Sequence, residues 1–131
     1  MSEFRWPVRV YYEDTDSGGV VYHTGYIRYF ERARTEWLRA LGYSLQRLAT
    51  EEGVLFTVVD LAVRYRRPAR LDDLLEVVST ADVAGASVLF TQAVHAADGT
   101  VLAEGEVRVA CVDAQSFRAR RMPDWFKTGV A

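Results

Sequence analysis

Residues 11–41 have the sequence YYEDTDSGGVVYHTGYIRYFERARTEWLRAL, which passes from a glycine-rich loop into a long amphipathic helix. The run DTDSGG, at residues 14–19, has the composition of a loop, and its two glycines can adopt backbone angles closed to other residues. Thr24 is the expected N-cap of a helix that extends to about Leu41. Apolar side chains at spacings of three and four predict one buried stripe on this helix: Tyr26, Ile27, Phe30, Ala33, Trp37, Leu38 and Leu41.

The rest of the chain alternates between apolar and polar residues, which is typical of strands. Strands are predicted at residues 8–13, 55–66, 74–83, 87–95 and 101–112, with a short helix at 44–51 and a helical turn near Trp125. Pro68, Gly85 and Asp98-Gly99 mark the turns between the later strands, and short turns make consecutive strands antiparallel. The pattern therefore predicts a single α+β domain over residues 1–131, in which a curved sheet wraps around the long helix.

Composition and charge exclude several functional classes. Half of the 131 residues are hydrophobic, which is enough for a core without a disulfide or metal. The formal net charge is -2, so we expect no nucleic-acid partner, because such proteins normally carry a basic excess. The single cysteine, Cys111, suits a reducing compartment. No apolar run approaches the roughly 18 residues of a membrane span, and residues 1–10 lack a signal-peptide core, so we expect a cytoplasmic protein.

Residues 11–36, RYRRPARLDD at 64–73 and GEVRVACVD at 105–113 together extend over nearly the whole chain. These three segments resemble the 4-hydroxybenzoyl-CoA thioesterase family, and within it the YbgC-like, Tol-Pal-associated subgroup. The resemblance implies a hotdog fold, an antiparallel five-stranded sheet in the order 1-3-4-5-2 around one long central helix. It also implies an acyl-CoA thioesterase without metal or organic cofactor, assembled as a homodimer or as a homotetramer of paired dimers, with active sites at subunit interfaces.

The resemblance also implies the site residues. The family's catalytic carboxylate matches Asp16, and its carbonyl-polarising backbone N–H matches the region of His23, with Tyr22 and Gly19 as neighbouring oxyanion or substrate-binding residues. A helix start suits this role, because it presents unsatisfied N–H groups and the positive end of the helix dipole. A thiol has a pKa of roughly 8.5, so thiolate leaves without a dedicated general acid. Asp16 either attacks the carbonyl or deprotonates a water, and the sequence leaves both routes open.

Arginine suits the phosphates of coenzyme A because its guanidinium forms bidentate hydrogen bonds. Arg67 and Arg70, beside Pro68, are the candidates for this contact, and the tail contains a second arginine group at residues 118–121. The substrate carrier is coenzyme A or acyl carrier protein. The sequence does not distinguish a short aliphatic, a long aliphatic or an aromatic acyl group.

Several alternatives stay open at this point. Asp14 either shares the catalytic work or orders the loop through local hydrogen bonds. His23 acts through its side chain or only through its backbone. Cys111 lies on an apolar strand face and is interpreted as a packed thiol, and His23 with His95 makes no metal-ligand cluster. A hydroxyacyl-thioester dehydratase and a non-enzymatic acyl-thioester binding protein linked to the cell envelope are the alternatives to a hydrolase.

Overall fold

The computed structural model describes residues 2–131. Its helices and strands are β1 (Phe4–Arg9), α1 (His23–Ala40), α2 (Leu45–Arg47), β2 (Val54–Tyr65), β3 (Leu74–Ala84), β4 (Ser87–His95), β5 (Val101–Asp113) and α3 (Asp124–Gly129). A 3₁₀ turn at Tyr12–Asp14 precedes α1, and a π turn at Leu48–Glu52 follows α2. Within the described part of the chain, no helix combines the length and the apolar character needed to cross a membrane.

The five strands form one antiparallel sheet in the order β1-β3-β4-β5-β2, which confirms the fold class that the pattern predicted and the strand order that the resemblance implied. Helix α1 packs on one face of this sheet because its apolar stripe faces the strands. The predicted stripe residues Tyr26, Phe30, Ala33, Trp37 and Leu38 are all between 0% and 5% exposed. The stripe also includes Tyr29, which is fully buried and which the sequence analysis did not assign to it.

The predicted first strand, residues 8–13, is wrong in position, since β1 runs from Phe4 to Arg9. The chain turns after β1 because a carboxylate oxygen of Asp14 accepts a hydrogen bond from the Tyr11 backbone N–H at 2.9 Å and closes the 3₁₀ turn. Pro7 lies inside β1, where it has no N–H to donate. An edge strand accommodates this proline, because one side of its backbone is unpaired.

The predicted N-cap, Thr24, is also wrong. Helix α1 begins at His23, and Tyr22 is the N-cap with extended backbone angles, φ -63 and ψ 143. No side chain caps this end of the helix, and Thr24 lies inside its first turn. The other predicted strands agree with the structure to within about one residue at each end, and residues 87–95 match β4 at both ends.

Candidate active site

The start of α1 borders a groove with a volume of about 350 Å³. The groove is lined by Asp16, Val21, His23, Tyr26, Tyr65, Arg66, Arg67 and Pro68. It therefore brings together the predicted carboxylate, the predicted helix start and one predicted phosphate-binding arginine. A larger hollow of about 540 Å³ lies across β2, β3, β4 and β5, but Asp16 and the start of α1 do not line it.

Asp16 lies in a tight loop that its own hydrogen bonds hold closed. One carboxylate oxygen accepts from the Gly18 backbone N–H at 2.8 Å, while the Asp16 backbone donates to Val20 and accepts from Gly19. Gly19 has a φ of +78, in the left-handed region that favours glycine. The side chain of Asp16 is exposed, so its carboxylate is accessible from the groove.

Asp14 has a different environment and anchors the base of this loop. Only 7% of it is exposed, and its carboxylate accepts the Tyr11 N–H described above. Its backbone carbonyl accepts a hydrogen bond from the Tyr22 N–H at 2.9 Å, which ties the loop to the N-cap of α1. Burial, together with the nearby Asp14 carboxylate, raises the pKa of the Tyr29 phenol. The geometry therefore favours the interpretation of Asp14 as a residue that orders the loop.

The first turn of α1 presents two free amides. The Gly25 N–H donates to the Tyr22 carbonyl at 2.7 Å. Within residues 2–131, neither the His23 nor the Thr24 backbone N–H donates a hydrogen bond. The rings of Tyr22 and His23 lie 4.3 Å apart and both residues are exposed. Two unsatisfied donors and the positive end of a helix of 18 residues thus lie beside the groove.

Tyr65, at the end of β2, is a site residue that the sequence analysis missed. Its hydroxyl donates a hydrogen bond to the His23 backbone carbonyl at 2.7 Å, and its ring packs against Tyr26. Partial burial raises the pKa of the Tyr65 phenol further above neutral pH, so the hydroxyl is protonated and acts as a donor. Alternation along β2 puts residues 61, 63 and 65 on one strand face, but the contact of Tyr65 with the helix start is visible only in the tertiary structure.

The predicted phosphate-binding arginines differ in position. Arg67 is exposed and lines the groove, whereas Arg70 pairs with Val20 in an isolated bridge and does not line it. Arg66 also lines the groove but forms an ion pair of 3.1 Å with Glu104. In the tail, Arg120 pairs with Asp113, which is opposite the first residue of β2. The groove borders the last residue of that strand. Because 12 residues in extended conformation span roughly 35 Å, the ion pair of Arg120 lies at the other end of β2, away from the groove.

Comparison with known proteins identifies the family of the chain. The family model described as the thioesterase-like superfamily matches residues 10–130. The chain belongs to the thioesterase-like superfamily. It is 51% identical over 121 residues to the acyl-CoA thioester hydrolase YbgC of Escherichia coli O6:H1, which covers 92% of this chain and 90% of that protein. It is 47% identical over 121 residues to the acyl-CoA thioesterase YbgC of Haemophilus influenzae, covering 92% and 88%.

A solved structure also shares the fold of this superfamily member. The 1,4-dihydroxy-2-naphthoyl-CoA thioesterase of Synechocystis superposes with a TM-score of 0.92 over 98% of this chain and 96% of that one. Its sequence is 24% identical, so the likeness concerns the fold alone.

The remaining nucleophile candidate of this thioesterase-like protein lies away from the groove. Cys111 is fully buried in the core beside Val109 and Phe126, and burial raises the pKa of its thiol. The interpretation of Cys111 as a packed thiol is confirmed by this burial. A buried, protonated thiol is a poor nucleophile.

Proposed function

We propose that this protein hydrolyses acyl-CoA thioesters to free acid and coenzyme A, with Asp16 as the reactive carboxylate. The observation that carries the proposal is the groove, in which Asp16 and the start of α1 face the same space. The two YbgC relatives carry names of the same activity. A thioester carbonyl placed in the groove would meet the carboxylate on one side and the amides on the other.

The chemistry requires few protein groups. If Asp16 attacks, its oxygen bonds to the acyl carbon, the carbon–sulfur bond breaks, and coenzyme A leaves as a thiolate. Water then hydrolyses the acyl-aspartyl anhydride and restores the carboxylate. If Asp16 instead acts as a general base, it takes a proton from the water that attacks the same carbon. Both routes produce a negatively charged oxygen on the acyl carbon.

The amides of His23 and Thr24 stabilise that oxygen. They are free of other acceptors within residues 2–131, and they lie at the positive end of α1. Loss of one such donor typically raises the barrier by about 3 kcal/mol. Tyr22 supports the site as the N-cap residue, and Gly19 allows the reversal that returns the chain from Asp16 to the helix.

The phosphates of coenzyme A fit the arginine side of the groove. Arg67 is the stronger candidate because it lines the groove and forms no salt bridge within residues 2–131. Arg70 is exposed on the neighbouring segment, and it stays a candidate for contact with a phosphate that lies outside the groove. The same reasoning accommodates acyl carrier protein, whose prosthetic arm also carries a phosphate.

We also propose that the chain assembles at least as a homodimer through β2. This edge strand exposes Val58, Val59, Leu61 and Tyr65, each between 43% and 52%, which is an unusual length of apolar edge for an isolated subunit. The opposite edge, β1, has Pro7 and two arginines. Since the groove borders the end of β2, a partner on this edge would contribute to the site. A charged residue at the edge, Leu61→Lys, should halve the mass measured by light scattering if β2 joins the subunits.

The buried thiol and the coenzyme A substrate are consistent with a cytoplasmic enzyme, and a Tol-Pal association would give it a role at the envelope. Fractionation of cells, with blotting for the protein, tests the location. A membrane-bound pool that resists salt washing would contradict the cytoplasmic assignment.

Substitution of Asp16 tests the function directly. Asp16→Asn should abolish most release of free thiol across a series of acyl-CoA chain lengths, while Asp82→Asn, at an exposed position on β3, should leave turnover unchanged. A single turnover in ¹⁸O-labelled water that places label in the Asp16 side chain would establish the anhydride route, with water attacking the aspartyl carbonyl, because the general-base route leaves the Asp16 oxygens unlabelled. Near wild-type hydrolysis by Asp16→Asn would reject the assignment. An unsaturated product from a hydroxyacyl thioester would support the dehydratase alternative.

A further inference from the structure

The hydrogen bond between Tyr65 and His23 joins the end of the sheet to the start of α1. The phenol donates to the His23 carbonyl at 2.7 Å across a sequence separation of 42 residues. The Tyr65 ring is held edge-on to Tyr26 at 5.5 Å and to His23 at 6.4 Å. Tyr26 is itself fixed, since its own hydroxyl accepts a hydrogen bond from the Ala69 N–H at 3.0 Å. The Tyr65 hydroxyl therefore belongs to an aromatic cluster whose ring contacts and hydrogen bonds fix its position.

The acceptor of this hydrogen bond, the His23 carbonyl, belongs to the same peptide group as the Thr24 N–H. The His23 carbonyl and the Thr24 N–H are the two ends of one planar peptide group and point in opposite directions. A hydrogen bond to the oxygen restricts rotation of that plane, and it also polarises the N–H at the other end. The Thr24 N–H donates no hydrogen bond within residues 2–131, and it lies at the exposed start of the helix.

We propose that Tyr65 is a positioning residue of the thioesterase site, which orients and polarises the Thr24 amide so that this N–H, together with that of His23, receives the developing oxyanion. The inference rests on the proposed function. Tyr65 exchanges no proton with the substrate, and it acts entirely through the shared peptide group. Its hydroxyl serves the chemistry even though it faces a carbonyl and not the acyl carbon.

Tyr65→Phe removes the hydroxyl and keeps the ring. The variant should lose roughly tenfold in kcat, less than the loss of an oxyanion donor itself, with KM and melting temperature little changed. Its pH–rate profile should keep the wild-type shape, because Tyr65 does not titrate during the reaction. Tyr43→Phe is the matched control, since Tyr43 follows the opposite end of α1 and should leave kcat unchanged.

Replacement of the residue 24 amide by an ester tests the route of action. Incorporation of the α-hydroxy analogue of threonine removes the Thr24 N–H without a change of side chain, and it also makes the His23 carbonyl an ester carbonyl, which is a weaker acceptor for the Tyr65 hydroxyl. In that background, Tyr65→Phe should have little further effect on kcat, because the donor is absent and the Tyr65 hydrogen bond is already weakened. The ester at residue 23 serves as the comparison, since it removes the other amide and should leave the effect of Tyr65→Phe in place.

The outcomes separate this inference from the function on which it rests. Full kcat in Tyr65→Phe, or effects of Tyr65→Phe and the residue 24 ester that simply multiply, would overturn the positioning role. Either result together with an inactive Asp16→Asn would leave the hydrolase proposal intact. An active Asp16→Asn would reject the hydrolase proposal itself.

Discussion

A Cβ atom built on Gly105 would lie 2.6 Å from Cε2 of Phe30, and 3.3 Å from the backbone oxygen of Ala62. The central helix therefore touches the backbone of β5 at this point, and only glycine leaves room for the Phe30 ring. Phe30 is fully buried, and its backbone carbonyl also accepts a hydrogen bond from the Gln92 side chain at 3.0 Å. This contact determines how closely α1 approaches the sheet.

Gly105→Ala should destabilise the protein by about 1–3 kcal/mol, because the added methyl group must displace either a buried ring or a sheet backbone. Urea unfolding followed by circular dichroism measures the change. Glu106→Ala, at an exposed position on the same strand, should change the free energy of unfolding by less than about 0.5 kcal/mol. Equal stability of the two variants would show that the helix moves away from the sheet without cost.

Asp14→Ala should reduce both stability and turnover. The part-buried Tyr11 N–H loses a charged acceptor, at a cost of about 1–3 kcal/mol, and the loop that carries Asp16 loses its anchor. The free energy of unfolding and kcat should fall together, in contrast to Asp16→Asn, which should lower kcat alone. Glu13→Ala, at an exposed position in the same turn, is the control. A loss of kcat at unchanged stability would instead assign Asp14 to the chemistry.

Tyr29→Phe should make the protein less sensitive to alkaline pH. Burial raises the pKa of Tyr29 above its unfolded value of roughly 10, so the neutral phenol is favoured in the folded state. Below pH 10 the phenol is neutral in both states and adds no pH dependence; above that value the unfolded chain loses the proton more readily than the folded chain, so the free energy of unfolding falls as the pH rises. Unfolding measured from about pH 9 to 11.5 should therefore show a shallower loss for Tyr29→Phe than for wild type.

The same variant should be no less stable than wild type at neutral pH. The Tyr29 hydroxyl is buried and has no hydrogen-bond partner within residues 2–131, so its removal relieves a desolvated polar group. Tyr12→Phe, at an exposed tyrosine, should reproduce neither effect. Identical alkaline curves for wild type and Tyr29→Phe would contradict the assignment.

Periodicity predicted the parts of the fold that depend on burial. The stripe from Tyr26 to Trp37 and the inward face of β5 are repeated apolar patterns over many residues, so the long helix and the later strands were found to within about one residue. The β1 prediction failed because Tyr11 and Tyr12 continue an apolar run that a single local hydrogen bond to Asp14 turns out of the strand. The hydrophobic pattern of a sequence contains no information about a side-chain hydrogen bond of this kind.

The candidate catalytic residues were predicted from one continuous segment of sequence. The resemblance identified the segment with Asp16 and His23, and the structure places both at one groove. Thr24 was chosen as N-cap from its residue type, although α1 starts with its amides uncapped. Tyr65 was missed because its role depends on a contact between β2 and α1, 42 residues apart in the chain. Such long-range polar contacts follow from the tertiary fold and not from local sequence.

Arg67→Ala should weaken binding of acyl-CoA without an effect on the chemical step. Arg67 lines the groove beside Asp16, so we expect KM for acyl-CoA to rise about tenfold at unchanged kcat, consistent with the loss of one charge-assisted contact to phosphate. The decisive comparison is the same acyl group on pantetheine, which lacks the phosphates, because wild type and Arg67→Ala should hydrolyse it equally well. Arg121→Ala, in the exposed tail segment, should behave as wild type with both substrates. A rise in KM with acyl-pantetheine as well would mean that Arg67 shapes the groove and does not bind phosphate. An unchanged KM for acyl-CoA would move the phosphate contact to Arg70.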